Sequence, residues 1–137
     1  MVAGPSELSE LDVLIVDDAP SVRQTVAGMV EDLGVPSTRI YEVENAREAL
    51  IFCDSQAPDL LLLDLVLPDI PGEEVGSVLM EDHPGMRVVP MTALDPDDGR
   101  VRQLVAMGAF DLLQKPVRRH EVQRLFEELV RESQPPA

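Results

Sequence analysis

Short apolar runs alternate with amphipathic stretches along almost the whole chain. Four runs have the character of buried strands, at residues 13–16, 60–63, 88–91 and 110–114, and a further strand is predicted at about residues 39–43. Strands of a parallel sheet are covered on both faces, so they are continuously apolar rather than alternating. The pattern therefore predicts an α/β fold built on a parallel sheet.

Five helices are predicted between and after these strands, from the spacing of their apolar residues. They cover residues 21–33, a stretch beginning at Asn45, and residues 73–80, 98–107 and 119–131. Asn45 with Glu48 three residues later is a variant of the capping box, and Gly76 weakens the third helix. Pro90 lacks a ladder donor, which predicts a bulge or a late start of the fourth strand. Alternating strands and helices imply right-handed crossovers.

Polar residues follow several of the apolar runs, at the point where each run ends. Asp17 and Asp18 follow the first predicted strand and Asp64 follows the third. Thr92 follows the fourth strand, and Lys115 follows the fifth. In an open α/β sheet, ligands bind where the carboxyl ends of the strands converge. Carboxylate oxygens suit a hard cation such as Mg²⁺, and a hydroxyl and an ammonium suit phosphate oxygens. Together these residues predict a place where a phosphoryl group is received.

Each of these residues also has a structural interpretation, and the sequence leaves it open. The acidic pair Asp17-Asp18 could stabilise the dipole of a following helix, and Asp64 could end a strand before a proline turn. Thr92 could cap a strand end. Lys115 could be a surface lysine, although it is the only lysine in a chain with ten arginines, and lysine offers phosphate a compact charge that arginine does not.

Composition limits the classes of function that fit this chain. A length of 137 residues with 45% hydrophobic residues predicts one domain with a full core, over residues 11–132. We expect a flexible segment at residues 1–10 and a tail or linker at 133–137. One cysteine and the lack of an 18-residue apolar stretch or leader predict a cytoplasmic protein without a membrane span.

The net charge of −15 falls entirely on residues 1–86, since residues 87–137 are balanced at 8 acids and 8 bases. An acidic chain with four aromatic residues is not suited to DNA or RNA, so we expect protein partners. Five arginines of the balanced half are either a solvated surface or part of a partner-binding face: Arg100, Arg102, Arg118, Arg119 and Arg124. We interpret His83 and His120 as solvated and Cys53 as a core residue.

The ordered set of motifs resembles the receiver domain of bacterial two-component response regulators, chemotaxis regulators included. It comprises Asp17-Asp18, the run from Asp64 to Gly72 with Pro68, Thr92-Ala93, and Lys115-Pro116, spread over residues 11–130. The resemblance implies a flavodoxin-like (βα)5 fold, a doubly wound parallel sheet with strand order 2-1-3-4-5. It also implies a non-enzymatic signalling module that takes a phosphoryl group from a histidine kinase or phosphotransfer protein.

The resemblance implies a role for each site residue. Asp64 would be the phosphoacceptor, with Thr92 and Lys115 contacting phosphoryl oxygens. Mg²⁺ would be held by Asp18 and Asp64 directly, by Asp17 mainly through water, and by the backbone carbonyl of Val66. A cis peptide before Pro116 is the family expectation.

Besides Pro90 within the fourth strand, two departures from the family pattern qualify these expectations. Leu112 stands where an aromatic residue is usual, so the relay to a partner-binding face around the fourth helix, fifth strand and fifth helix is in doubt. Phe110, on the same strand parity, is a candidate substitute. The loop at residues 94–99 is expected to be displaced by one additional residue. Two alternative functions stay open. One is a degenerate receiver that acts only as a scaffold, and the other is an aspartate-nucleophile phosphohydrolase, which would carry a second acid where this chain has Val66.

Overall fold

Five parallel strands in the order β2-β1-β3-β4-β5 form a single sheet. The structure, a computed structural model, describes residues 7–133. The strands are β1 (Val13–Val16), β2 (Ile40–Val43), β3 (Leu60–Asp64), β4 (Arg87–Thr92) and β5 (Leu113–Gln114). The helices are α1 (Pro20–Asp32), α2 (Ala46–Ser55), α3 (Gly72–Asp82), α4 (Gly99–Met107) and α5 (Arg119–Ser133). The flavodoxin-like fold and the strand order 2-1-3-4-5 predicted from the sequence are confirmed.

Two hydrophobic layers cover the faces of the sheet, which explains why its strands are apolar throughout. One layer combines Ile15 and Leu62 of the sheet with Val26 of α1 and Phe126 of α5. The other combines the alternate sheet residues with buried side chains of α2, α3 and α4, among them Leu104. Because both faces are covered, every residue of β1 and β3 is buried.

The fifth strand is shorter than predicted. Residues 110–114 were expected to form it, but only Leu113 and Gln114 pair with β4, opposite Met91 and Thr92. Phe110 still donates its backbone N–H to the carbonyl of Val88, so the segment follows the edge of the sheet without forming a regular ladder. Apolar composition alone did not distinguish these two arrangements.

Pro90 neither delays nor interrupts β4, so the predicted bulge or late start is wrong. The strand begins at Arg87 and pairs in continuous register with β3, with Pro90 opposite Leu63. Alternate residues of a parallel strand direct their backbone groups to opposite neighbours. The carbonyls of Val88 and Thr92 both accept bonds from the segment on the β5 side. The donor that proline lacks therefore belongs to the sparse edge of the sheet, where it costs little.

Helix ends follow local sequence signals closely. The Asn45 side chain accepts a hydrogen bond from the Glu48 amide at the start of α2, and Asp98 caps α4 through the Arg100 amide. Gly108 ends α4 with a φ of 107°, a left-handed conformation that favours glycine. Gly76 does not break α3. A side chain there would come within 3.0 Å of Leu104, so glycine permits close packing of α3 on α4.

The chain ends are described only in part. Leu8–Glu10 form a 3-10 turn, and Leu8 packs against the core layer beside α1 and α5. The rest of the predicted flexible segment and the predicted tail lie mainly outside the described residues. None of the helices within residues 7–133 combines the length and apolar character that a membrane-crossing segment needs.

Candidate functional site

Three aspartates come together at the carboxyl ends of β1 and β3. Asp17 is completely buried, Asp64 is 5% exposed, and Asp18 is exposed at the rim. Each offers a carboxylate oxygen within 4.8 Å of those of the other two. The neighbouring positions of β1 and β3 in the sheet produce this convergence, since Val16 pairs with Leu63 directly before the acids.

Lys115 extends into the same pocket from the end of β5. Its Nζ lies 2.7 Å from Asp17 Oδ2 and 3.3 Å from Asp64 Oδ2. The Lys115 amide donates to the carbonyl of Thr92 at 2.8 Å, which ties the segment to β4. The peptide bond between Lys115 and Pro116 is cis, as expected. One ammonium therefore contacts carboxylates from two different strands.

The charges in this pocket shift one another's protonation. Burial raises the pKa of Asp64 above its usual 3.8 and the charge of Asp17 adds to this, while the Val66 amide and Lys115 lower it without offsetting the burial. Burial opposes the charge on Lys115. The close contact with Asp17 and the charges of Asp64 and Asp17 outweigh that burial and raise the Lys115 pKa above 10.5. One ammonium thus stabilises the ionised form of Asp64 only in part.

Thr92 lies at the end of β4 and is 1% exposed. Its Oγ1 accepts a hydrogen bond of 3.0 Å from the Leu94 amide, which is the contact expected of a strand-end cap. A hydroxyl that accepts still has a hydrogen to donate, so capping and phosphate binding are compatible. Gln114 holds this corner by donating to the carbonyls of Thr92 and Leu94 at 3.0 and 2.8 Å.

The loop between β3 and α3 turns sharply beside Asp64. The Val66 amide donates to Asp64 Oδ1 at 3.0 Å, and the Gly72 amide donates to the Leu65 carbonyl at 3.0 Å. A Cβ at position 72 would lie 2.4 Å from the Asp64 carbonyl oxygen and 2.4 Å from Leu65 Cα. Only glycine allows α3 to begin so close to the backbone of Asp64. The side chain of Val66 is exposed.

The donor set of this pocket fits a hard divalent cation. All three side chains offer carboxylate oxygens, the ligand type that Mg²⁺ prefers. Three carboxylate oxygens lie within 4.8 Å of one another, close enough to surround one cation. The site is therefore an acidic pocket that could hold a metal.

Sequence reasoning did not identify three residues that shape the pocket. Arg23 of α1 donates to the backbone carbonyl of Asp17, and its Nε lies 3.5 Å from Glu42 of β2. Gln114 supports Thr92, as described above. Asp69 connects the loop after β3 to the start of α2. All three act through contacts with other parts of the chain, and neither periodicity nor the motif set assigns them a role.

The other candidate residues lie outside the pocket. His120 is exposed on α5 and His83 is partly buried at the end of α3. Cys53 is buried in the core, and burial raises its pKa to about 11. Three of the five arginines of the balanced half form surface ion pairs, Arg100 with Asp98, Arg119 with Asp32, and Arg124 with Asp111.

Residues 13–127 match the family model described as the response regulator receiver domain. The chain belongs to the receiver domain family. It is 31% identical over 117 residues to the chemotaxis protein CheY of Listeria monocytogenes, a match that covers 85% of this chain and 96% of that protein. Receiver domains are the signalling modules of two-component response regulators, so the resemblance read from the motifs is confirmed.

Two further relatives place the receiver domain in context. It is 32% identical over 114 residues to the cyclic di-GMP phosphodiesterase response regulator RpfG of Xanthomonas campestris, covering 82% of this chain but only 30% of that protein's length. The solved CheY-like receiver domain of Methanospirillum hungatei has a TM-score of 0.81 at 24% identity, with 90% of this chain and 95% of that chain covered. At this identity, the similarity to the Methanospirillum structure shows a shared fold only.

The receiver domain places Leu112 and Phe110 on opposite sides of its sheet. Leu112 packs against the layer beside α2, α3 and α4, and Phe110 against the layer beside α1 and α5. Phe110 also lies under the guanidinium of Arg87, 5.6 Å from its ring centroid. The expectation that Phe110 and Leu112 face the same side is wrong, because residues 110–112 do not form a regular strand. Phe110 is therefore not positioned to replace the aromatic residue that is usual at position 112.

Proposed function

We propose that this receiver domain accepts a phosphoryl group on Asp64 from a phosphohistidine of a histidine kinase or phosphotransfer protein. A carboxylate oxygen of Asp64 forms the new O–P bond, the N–P bond breaks, and the imidazole leaves with the electron pair. Aspartate is a recognised nucleophile for such acyl phosphates. The main support is the ammonium of Lys115, which lies within 3.3 Å of carboxylates from both β1 and β3.

Charge is the principal obstacle to this reaction. The nucleophile and the phosphoryl group are both negative, and two unit charges about 4 Å apart repel by roughly 4 kcal/mol at an effective dielectric near 20. Lys115 offsets part of this repulsion, and Thr92 can donate its hydroxyl hydrogen to a phosphoryl oxygen. Burial raises the pKa of Asp64 despite Lys115, so additional positive charge would favour the ionised nucleophile.

Mg²⁺ would supply that charge. In our proposal Asp18 and Asp64 hold the cation directly, Asp17 holds it mainly through water, and the Val66 carbonyl completes the protein ligands. Its chemistry is to neutralise the acids and the phosphoryl oxygens together. Asp17 is also occupied by Lys115 and by the Ala19 amide, which is consistent with a less direct role for this residue.

The phosphorylated form would change its affinity for a downstream protein partner. We infer that the partner binds the face formed by α4, β5 and α5, which belongs to the charge-balanced half of the chain. Val105 of α4 is 54% exposed there and offers an apolar contact. Leu112 lacks the polar ring of the usual aromatic residue, so any relay through this position must work by packing alone.

Two alternatives have weaker support. A receiver that serves only as a scaffold would not need Lys115 to contact both Asp17 and Asp64. An aspartate-nucleophile phosphohydrolase would need a second acid two residues after the nucleophile, where the chain has the exposed, apolar Val66.

Incubation with acetyl phosphate or phosphoramidate and Mg²⁺, followed by intact mass measurement, tests the proposal. We expect the wild-type protein to gain one phosphate, and Asp64→Ala to gain none. Omission of Mg²⁺ with EDTA present should also prevent the gain. A phosphate that persists in Asp64→Ala, or a wild-type protein that never gains one, would contradict the proposal.

A further inference from the structure

Asp69, in the loop after the phosphoacceptor, binds the start of α2. Its Oδ1 accepts a hydrogen bond of 3.0 Å from the Ala46 amide, and its Oδ2 accepts one of 2.9 Å from the Arg47 amide. Desolvation raises the pKa of Asp69. Hydrogen bonds from the backbone amides, those of Arg47 and Ala46 first, lower it by more, so that its pKa lies below the usual value. A loop residue and a helix 23 positions away are thus joined by two charge-assisted bonds.

These bonds are additional to a cap that α2 already has. The Asn45 side chain accepts from the Glu48 amide at 2.8 Å, and the Asn45 carbonyl accepts from the Ala49 amide. The first amides of a helix have no partner within it. Here Asp69 accepts those of Ala46 and Arg47 and the Asn45 side chain accepts that of Glu48, while the Asn45 carbonyl accepts the first regular helical bond, from Ala49. The two residues therefore stabilise the same helix end, but only Asp69 connects it to the loop.

The loop that Asp69 anchors is the one that follows Asp64. It leaves β3 with the Val66 amide bonded to Asp64 Oδ1 and enters α3 with the Gly72 amide bonded to the Leu65 carbonyl. These two contacts hold its ends close to β3. Asp69 lies between them. It is exposed to solvent, and its carboxylate accepts the first two amides of α2. The middle of the loop thus has an anchor outside β3 and α3.

We propose that Asp69 is a positioning residue that holds this loop, and with it the backbone carbonyl of Val66, in the arrangement that binds the divalent cation. The inference rests on the proposed function, because it concerns the cation site described there. Asp69 contacts neither the cation nor the phosphoryl group. Residues that support metal ligands from behind typically change metal affinity by about 10- to 100-fold when they are removed.

Linkage gives this inference a reciprocal consequence. If the bonds from Asp69 to α2 favour the loop arrangement that binds Mg²⁺, Mg²⁺ must favour those bonds by the same factor. Addition of Mg²⁺ should therefore slow hydrogen exchange at the amides of Ala46 and Arg47. A residue that only capped α2 would show no such response, since its bonds would be independent of the occupied site.

Three variants of the full chain, measured with Mg²⁺ as the probe, separate positioning from capping. Asp69→Ala removes both bonds, Asp69→Asn keeps one carbonyl oxygen as an acceptor, and Asn45→Ala removes a cap of the same helix without releasing the loop. Mg²⁺ dissociation constants come from calorimetric titration, and exchange rates at Ala46 and Arg47 from NMR. Circular dichroism establishes that each variant is folded.

We expect Asp69→Ala to raise the Mg²⁺ dissociation constant about tenfold, Asp69→Asn to raise it less, and Asn45→Ala to leave it within about twofold. Slowing of exchange by Mg²⁺ at Ala46 and Arg47 should persist in Asp69→Asn in weakened form. Equal effects of Asn45→Ala and Asp69→Ala would overturn the inference in favour of helix capping.

Unchanged affinity in Asp69→Ala, or amides of α2 that do not respond to Mg²⁺ in the wild-type protein, would also overturn the inference and leave the proposed function intact. A wild-type protein that binds no Mg²⁺ at all gives a different result, because it contradicts the cation site of the proposed function and the inference falls with it.

Discussion

β1 and β3 carry aspartates at both of their ends, and the two ends behave differently. At the carboxyl end, Asp17 and Asp64 converge with Asp18 to within 4.8 Å. At the amino end, Asp12 precedes β1 and Asp59 precedes β3, also beside a basic residue, Arg39. Within residues 7–133, only the carboxyl end groups three potential metal ligands.

The two acids at the amino end have other partners, a backbone amide and an arginine. Asp59 Oδ2 accepts the Asp12 amide at 2.8 Å, and Asp12 Oδ1 lies 3.3 Å from the Arg39 guanidinium. Burial raises the pKa of Asp59, and the Asp12 amide lowers it in part. Arg39 is 40% exposed, whereas Lys115 at the other end is 21% exposed. Acidic strand ends alone are therefore not a site; a third acid and a half-buried cation make the difference.

The largest difference is expected when one acid is neutralised at each end of the strands and phosphoryl uptake is compared. Asp64→Asn should abolish phosphoryl uptake, whereas Asp59→Asn should leave it intact, by intact mass after acetyl phosphate treatment. Asp64→Asn should also increase the free energy of unfolding at pH 7. Because folding raises the pKa of Asp64 above 3.8, its contribution to stability falls as pH rises through the folded pKa.

The wild-type protein should consequently lose this stability advantage between low pH and neutrality, and Asp64→Asn should not. Urea unfolding across this pH range measures both proteins. Identical pH profiles would show that Asp64 does not titrate as described, and loss of phosphorylation in Asp59→Asn would remove the functional distinction between the two ends.

Close packing should also differ between the ends. A methyl group at Gly72, beside Asp64, would lie 2.4 Å from backbone atoms, whereas one at Gly85, before β4, would meet nothing within 4 Å. Gly72→Ala should therefore lower the free energy of unfolding by about 3 kcal/mol, the upper end of typical overpacking costs. Gly85→Ala should change it by less than about 0.5 kcal/mol. Equal unfolding midpoints in urea would refute the difference.

The two cations provide the next comparison. Lys115→Met leaves Asp17 and Asp64 without their ammonium and should lower the free energy of unfolding in EDTA by about 2 kcal/mol, less than the 3–5 kcal/mol of fully buried pairs. Arg39→Met breaks an exposed pair and should cost less than about 1 kcal/mol. Mg²⁺ should restore part of the loss in Lys115→Met only. A larger loss of unfolding free energy in Arg39→Met than in Lys115→Met would contradict the greater importance that we give to Lys115.

The smallest effect concerns the lifetime of the phosphorylated form. Val66 and Leu94 are both apolar and cannot position an attacking water, so we expect slow loss of phosphate. Val66→Asn should accelerate the loss severalfold, well below the roughly 100-fold of a placed general base. Val78→Asn, at an exposed valine of α3, is the matched control. Time-resolved mass measurement follows the decay, and equal or slower decay in Val66→Asn would disprove the expectation.

Much of the fold could be predicted because its determinants are local. Apolar runs located β1, β3 and β4, helical spacing located the helices, and the capping motif at Asn45 marked the start of α2. The exceptions depended on neighbours. Pro90 is tolerated because its missing donor faces the short β5. Phe110 and Leu112 are apolar, yet neither pairs with β4 in the regular ladder.

The candidate site was predictable to the level of its principal residues and no further. Asp17, Asp64, Thr92 and Lys115 were found because strand ends converge at one edge of a parallel sheet. Two residues nearby, Arg23 at the Asp17 carbonyl and Asp69 at the start of α2, act across 6 and 23 positions of sequence. Their contacts depend on how loops pack, which hydrophobic periodicity does not encode.

The single lysine of this chain has a practical consequence for spectroscopy. Selective ¹⁵N-lysine labelling would give one backbone amide signal, from Lys115, in an otherwise silent spectrum. That amide donates to the carbonyl of Thr92, at the edge of the pocket. One resonance can therefore report titration of the pocket by cations or phosphoryl donors, without assignment of the remaining residues.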